Sequence, residues 1–259
     1  MSELKNKTVF ITGASSGIGK ASAVGFAKAG ANLILCARRS ERLQQLASSL
    51  IERFNTRSHV LTLDIRNYEE IKKKISSLPQ EWKKIDILLN NAGLARGFSV
   101  IYESDVKNWE EMIDTNIKGL LYVTREILPG MIERGSGHVI NIGSTAGHEV
   151  YKYGNVYAAT KFAVKALTQS IRLDVLDKGI RVSSVDPGMV ETEFSLVRFN
   201  GDAEKARQVY EGLIPLTPED VARAVLFCAS QPQNVNINEV ILTPLAQASS
   251  TQVVRKSKT

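Results

Sequence analysis

The chain has 259 residues, 43% of them hydrophobic, which suffices for one large core, and its two cysteines are too few for a disulfide framework. No apolar run reaches the roughly 18 residues of a membrane span, and MSELKNK leads straight into a strand-like segment, so a soluble cytoplasmic protein without a membrane partner is expected. The net charge of +6 is spread over helix-like segments with no aromatic-basic recognition pattern, which argues against nucleic acid and leaves a mild attraction for anionic small molecules.

KTVFIT, at 7–12, reads as a strand of β-branched and aromatic residues, and TGASSGIG at 12–19 precedes a helix beginning near Gly17. Glycines in such a turn let the backbone approach a pyrophosphate at the helix N-terminus, where free N–H groups and the dipole favour anions. The spacing Gly13, Gly17, Gly19 departs from the G-x-G-x-x-G fingerprint. The second strand, within NLILCARRSERL, ends at Ala37, followed by Arg38, Arg39 and then Ser40 in an N-cap position. An NAD site carries a carboxylate at this strand end for the ribose 2′-hydroxyl, whereas guanidinium groups bind a 2′-phosphate in bidentate fashion. The pattern predicts NADP(H); the other reading is that the arginines only cap a surface turn.

The third strand, HVLTLDI, closes on Asp64 and Ile65, and YEEIKKK is a charged amphipathic helix. IDILL runs into the turn formers Asn90-Asn91-Ala92-Gly93. The helix-like NWEEMIDTNIKGLLYVTREIL contains Asn116, a poor helix former that predicts a kink or cap. GHVINIGS reads as a short strand ending at Ser144, and NVYAATKFAVKALTQSIRLDVL as a helix carrying Tyr157 and Lys161. Beyond DPGMVET at 186–192 come a stretch at about 190–215 that reads as a lid and a polar tail at about 246–259, whose Arg255, Lys256 and Lys258 point to a frayed end. Strand and helix patterns alternate from residue 7 to about 243. They predict one α/β domain over 1–259, a Rossmann-type doubly wound parallel sheet of about seven strands with helices on both faces. Cys36 in a strand and Cys228 in a helix read as reduced core residues, and the three scattered histidines predict no metal site.

Ser144, Tyr157 and Lys161 carry the clearest chemistry. In an open parallel sheet ligands bind beyond the carboxyl ends of the strands, which is where Ser144 falls. A tyrosine pKa of about 10 is too high for a base at neutral pH, and an ammonium one helical turn away favours the phenolate. Proton transfer with a bound alcohol is then feasible, with the serine hydroxyl holding the same oxygen. The spacing alone proves little, because Tyr68 and Lys72 repeat it in a charged stretch with no matching serine and read as a solvated helix face.

These motifs, in this order, make residues 5–243 resemble the short-chain dehydrogenase/reductase family, with its Thr-Gly-x-x-x-Gly-x-Gly loop, Asn-Asn-Ala-Gly strand end and Asn, Ser, Tyr, Lys tetrad. The resemblance implies catalysis by Asn116, Ser144, Tyr157 and Lys161, with Asn116 opening its helix to hold a water that joins Lys161 to a proton relay. It implies cofactor contacts from Gly13, Ser15, Ser16, Gly17, Ile18 and Gly19, from Asp64 and Ile65 at the adenine, and from Asn91, Ala92 and Gly93. Pro187, Gly188, Val190 and Thr192 would lie at the nicotinamide, Tyr157 and Lys161 would add to the cofactor set, and Asn90 would steady the sheet. Helices around 105–132 and 155–177 would pair between subunits of a homotetramer.

EFSLVRFNGDAEKARQVYEG, LTPEDVARAV and NVNINEVILTPLAQAS resemble the branch of NADP-dependent 3-hydroxy acid dehydrogenases, which oxidise serine, L-allo-threonine and related β-hydroxy acids. For such a substrate Ser144, Tyr153 and Arg198 are the expected contacts, Arg198 for the carboxylate. The other reading of Arg198 is a lid-ordering pair with Asp202 or Glu204, and Glu149 either meets a substrate amino group or faces solvent. Alternatives with the same motifs are a broad-specificity NADPH-dependent carbonyl reductase and a non-catalytic NADPH-binding regulator.

Overall fold

Alternate residues of β1 (Thr8–Thr12) face opposite sides of a sheet that is dry on both: Val9 and Ile11 pack into one core, Phe10 into the other. The structure, a computed structural model, describes residues 2–256; Lys258 of the expected tail lies outside them. β2 (Asn32–Ala37), β3 (Ser58–Thr62), β4 (Ile87–Asn90), β5 (Gly137–Ile142), β6 (Ile180–Pro187) and β7 (Glu239–Leu242) complete a seven-stranded parallel sheet in the order β3-β2-β1-β4-β5-β6-β7. The direction of strand addition reverses between β1 and β4, and that switch opens a crevice at the strands' carboxyl ends. The expected Rossmann-type doubly wound sheet is the observed fold.

On one face lie α1 (Gly17–Lys28), α2 (Ser40–Phe54) and α9 (Pro218–Ala229), which bury Phe26, Leu43, Leu50, Val221 and Val225 against the sheet. On the other lie α3 (Tyr68–Ser76), α5 (Leu120–Glu133) and α6 (Asn155–Asp174), with Ile71, Val123, Ile127 and Ile171 inward. α4 (Val106–Ile113) precedes α5, and the short α7 (Phe194–Arg198) and α8 (Ala203–Gln208) stand above the crevice. No described helix is long and apolar enough to cross a membrane. Cys36 and Cys228 are free and buried, as expected, and burial raises both thiols, Cys36 to about 12 and Cys228 to about 11.

Three expectations are corrected. Ser40 is the first residue of α2; Arg39 occupies the N-cap, and its side chain caps nothing. The single helix expected around Asn116 is two helices joined by a π turn over Asp114–Gly119, a wider winding that recurs at functional sites. The tail is not frayed up to residue 256: Val254 N donates to Ala246 O, Lys256 N to Gly212 O, and the Arg255 guanidinium to the carbonyls of Val209 and Glu211. Hydrogen bonds to main-chain carbonyls, invisible to hydropathy, hold it.

Candidate active site

Ser144 stands two residues past β5 in extended backbone, where its Oγ accepts from Ala146 N at 3.1 Å and is thereby fixed at the strand end. The opening turn of α6 brings Tyr157 to it, near enough for the Ser144 hydroxyl to favour the phenolate. Lys161, one turn on, donates from Nζ to Ile142 O at 2.9 Å. All three expected side chains therefore converge. Burial raises the Tyr157 phenol, against the pull of Ser144 and of the Arg198 guanidinium. Burial lowers Lys161 to about 8, opposed by the carboxylate of Asp186. The ammonium lies 5.9 Å from the Tyr157 ring centre and the Arg198 guanidinium 5.4 Å, so two cations flank the phenol where one was expected.

Asn116 is buried at the π turn. Its Oδ1 accepts from Leu94 N at 2.9 Å, while Nδ2 donates to Leu94 O at 2.8 Å and Thr160 Oγ1 at 3.0 Å. Both amide hydrogens are spent on protein partners, which pin the opened turn between the strand-end loop and α6. Gly93 borders the same space: a β-carbon there would stand 3.3 Å from Asn116 Oδ1 and 3.8 Å from Lys161 Nζ. Asn90 donates to Thr124 and Asn141, bracing β4 against α5 and β5.

Beneath Lys161 lies a polar cluster that the sequence did not suggest. Asp186, buried at the end of β6, accepts from Ser184 Oγ and pairs with His148 Nε2 at 2.6 Å, and His148 Nδ1 meets Lys165 Nζ at 2.8 Å. With Lys165 donating to Nδ1, the imidazole carries its proton on Nε2 and donates to Asp186. Glu239 completes the group, so that His148, Asp186 and Glu239 each bring a nitrogen or oxygen within 4.8 Å of the others, and Lys165 pairs with Glu239 at 3.8 Å.

The lid supplies the site's roof. The guanidinium of Arg198, at the end of α7, lies over the rings of Phe98, Tyr151 and Tyr157 at 5.2, 5.6 and 5.4 Å and donates to Tyr151 Oη at 2.5 Å. The expected partners go elsewhere, Asp202 to Lys205 and Glu204 to Arg207, and among the described residues Arg198 has no carboxylate partner. Tyr153 adopts a left-handed backbone (φ +68°) and turns its ring onto Phe98, so Tyr151 rather than Tyr153 borders Tyr157. Glu149 accepts from Ser250 N and Thr251 Oγ1 and holds the tail instead of facing the pocket.

The crevice fits a dinucleotide. A β-carbon on Gly13 (φ +67°) would meet Asn91 Nδ2 at 2.8 Å, and one on Gly19 the same atom at 2.5 Å, so only glycine allows the loop to lie this close to the end of β4. Asn91 fixes that approach by donating to Thr12 O, and Thr12 Oγ1 accepts from the N–H groups of Asn91 and Ala92. Ser16 caps α1 without a side-chain bond, which leaves the helix's first N–H groups for a phosphate. Ile18 packs against the core behind the loop, and Gly17 faces Thr192 across the crevice, where an added β-carbon would stand 3.3 Å from it. Gly188 N donates to Leu242 O, and a buried Gln247 accepts from Met189 N, which sets the turn after Pro187; Val190 bridges to Leu216. Ala37 leaves the end of β2 without a carboxylate, and Arg39 bends onto Ser15 Oγ and Ser16 Oγ. Arg38 is exposed within electrostatic reach of Asp64, whose carboxylate is taken by Arg66, and Ile65 packs against Gly119.

Residues 7–201 match the family model described as short chain dehydrogenase. The chain belongs to that family. It is 47% identical over 252 residues, 96% of this chain and 99% of the relative, to the NADP-dependent 3-hydroxy acid dehydrogenase YdfG of Salmonella typhimurium. To the serine 3-dehydrogenase of Rhizobium radiobacter it is 44% identical over 251 residues, 96% and 99% of the two chains. Among solved structures, the closed form of a serine dehydrogenase complexed with NADP+ superposes with a TM-score of 0.90 at 44% identity, covering 96% of this chain and all of that one.

The sequence missed several of this dehydrogenase's site-facing groups: Tyr151, Phe194, whose ring is 5.6 Å from Tyr157, the His148–Asp186 pair, Gln247 and Glu193. Their partners stand far away in the chain, and no local spacing announces them. Arg42 was legible, one turn beyond Arg38 and Arg39 on the same helix start.

Proposed function

We propose that this dehydrogenase transfers hydride between NADP(H) and the hydroxyl-bearing carbon of small 3-hydroxy acids such as serine, L-allo-threonine or 3-hydroxypropionate. The observation that carries the reading is Arg198, a cation without a carboxylate partner among the described residues, caged by aromatic rings and directed at Tyr157. A guanidinium so enclosed is suited to a carboxylate in a bidentate pair, and the names of the relatives agree with that class. The alternative, a broad carbonyl reductase, would have no use for a cation without a carboxylate partner there.

Bound NADP+ supplies the hydride acceptor and NADPH the donor. Tyr157 takes the proton of the substrate hydroxyl, and Ser144 holds the same oxygen through a hydroxyl already oriented by Ala146 N. Lys161 and Arg198 flank the phenol, and their positive charge opposes the burial that otherwise keeps it protonated. Asn116 keeps the π turn open beside Lys161, and we assign the proton path from Lys161 to that opened turn. Arg39, Arg38 and the loop from Gly13 to Gly19 hold the cofactor, with Asp64 and Ile65 at its adenine side and Pro187, Gly188, Val190 and Thr192 at the nicotinamide.

We assign the whole chain to a single domain with a lid at about 190–215, a cytoplasmic location in keeping with the two free thiols, and a homotetramer. What supports the tetramer is that the helices expected to pair carry exposed apolar side chains, Val106, Ile113, Leu121, Phe162 and Leu173. A monomeric native mass at micromolar concentration would refute it.

The test is NADP+ reduction with L-serine, L-allo-threonine and 3-hydroxypropionate beside their uncharged alcohol analogues. Turnover confined to the acids is expected, and Arg198→Ala should lower kcat/KM for acids by about 10- to 150-fold, the worth of a charged hydrogen bond. Equal turnover of uncharged alcohols by the wild type would make this a broad carbonyl reductase.

A further inference from the structure

The arginines at the end of β2 already hold an anion, and it comes from the lid. Glu193, the residue immediately before α7, places Oε2 2.9 Å from Arg39 Nη1 and 2.9 Å from Arg42 Nη1, with Oε1 2.7 Å from the latter. Arg39 also donates from Nε and Nη2 to Ser15 and Ser16, in the loop of the cofactor crevice. Arg39 and Arg42 in turn hold Glu193 below the usual carboxylate range, so it is charged at neutral pH. From Glu193 the chain leads directly to Phe194 and Arg198, the lid residues against Tyr157.

We infer that Glu193 is an internal surrogate for the cofactor's 2′-phosphate: its carboxylate latches the lid to Arg39 and Arg42, and an incoming 2′-phosphate takes both arginines and frees α7 to rearrange. The phosphate and the carboxylate compete for the two guanidinium groups and repel each other when side by side, so binding of the phosphate opposes retention of the latch. The strengths fit a switch. The side chains of Arg39, Arg42 and Glu193 are 42%, 46% and 42% exposed, and exposed pairs change an equilibrium constant by only about 1.4- to 5-fold. A phosphate monoester brings nearly two charges and three acceptor oxygens against one charge and two oxygens, so it wins the arginines. NAD+ lacks that group and leaves the latch closed. Selectivity for NADP+ is then expressed in the lid as well as in affinity, and Arg42 is a specificity-determining residue beside Arg39.

This inference rests on the NADP reading, and the test separates the two. Calorimetry on the whole wild-type enzyme with NADP+ and NAD+ checks that reading first, since equal affinity for both would sink it and leave no 2′-phosphate site to latch. Glu193→Gln should then bind NADP+ and 2′,5′-ADP about 2- to 5-fold more tightly, with NAD+ and 5′-ADP within about 1.5-fold of wild type. Arg42→Gln should weaken NADP+ and leave NAD+ unchanged. Amide hydrogen exchange over residues 194–200 without nucleotide should quicken about 2- to 5-fold in Glu193→Gln, and wild type with 2′,5′-ADP should match it, while 5′-ADP has no effect. Unchanged or weaker NADP+ binding in Glu193→Gln would show that the carboxylate merely orders the arginines, and lid exchange indifferent to both Glu193→Gln and 2′,5′-ADP would show that there is no latch. Either result overturns the proposal.

Discussion

This chain contains the spacing Tyr-x-x-x-Lys twice, at the start of α3 and at the start of α6, and the two copies differ in everything except spacing. Tyr68 donates to Glu126 at 2.9 Å, accepts from Arg125 and sets its ring tilted against that of Tyr122 at 5.1 Å, while Lys72 is exposed. Tyr157 is buried with Ser144 close enough to favour its phenolate, and Lys161 is buried with Ile142 O on its ammonium. A helix brings residues four apart to one face in either place. Only α6 points that face into the crevice at the strand ends, where burial makes protonation states expensive to change and neighbouring charges decisive. The motif is a statement about geometry, and its chemistry is a property of the surroundings.

The largest expected contrast is in rate. Tyr157→Phe should lower kcat by roughly 100- to 10,000-fold with NADP+ affinity retained, whereas Tyr68→Phe should stay within about twofold; comparable losses from both would break the comparison. Next in size is the support of the α6 pair. Asn116→Ala leaves the N–H and C=O of Leu94 without partners, removes the donor to Thr160 Oγ1, and should cost about 2–4 kcal/mol in urea unfolding, more than any substitution on the exposed face of α3.

A smaller, pH-dependent effect isolates burial of the lysine. Lys161 is lowered to about 8 from an ordinary 10.5, so below pH 8 folding must bury a charged amine, and that penalty is fully present. As pH rises from 8 toward 10.5 the native lysine is neutral while the unfolded one still binds a proton, and the penalty fades. Wild type should therefore gain on the order of 2 kcal/mol relative to Lys161→Met between pH 7 and pH 10.5, measured by denaturant unfolding without nucleotide. Lys72→Met should show no such slope. A flat difference for Lys161→Met would mean that its ammonium is not desolvated in the native state.

Much of this was legible because it is local. The loop from Gly13 to Gly19, the strand ends at Asn90–Gly93 and Ser144, and the pairing of Tyr157 with Lys161 follow from period, turn chemistry and helix spacing, each confined to a few residues. The π turn at Asn116 was half legible: a poor helix former announced a disturbance, but the Leu94 and Thr160 groups that hold it open are 22 and 44 residues away. Spacing sets Tyr153 one helical turn before Tyr157, but the chain takes a left-handed backbone there and α6 begins only at Asn155, so Tyr151 borders Tyr157. The tail was read as frayed from its polarity, although its order comes from main-chain partners at Val209–Gly212.

The sequence by itself determined the doubly wound sheet, the glycine loop, the placing of Ser144, Tyr157 and Lys161 for proton transfer and the preference for a 2′-phosphorylated cofactor, because periodicity, backbone restriction and side-chain chemistry act over short stretches of chain; Asn116 joined them only through the family resemblance. Tertiary structure alone decided that Glu193 meets Arg39 and Arg42, that His148 meets Asp186, and that Arg198 enters a ring of aromatics instead of pairing with Asp202 or Glu204. Those meetings join segments 38 to 154 residues apart along the chain, or choose among several partners of equal charge. The strand order and the packing of α7 over the crevice make that choice, and no local pattern encodes it.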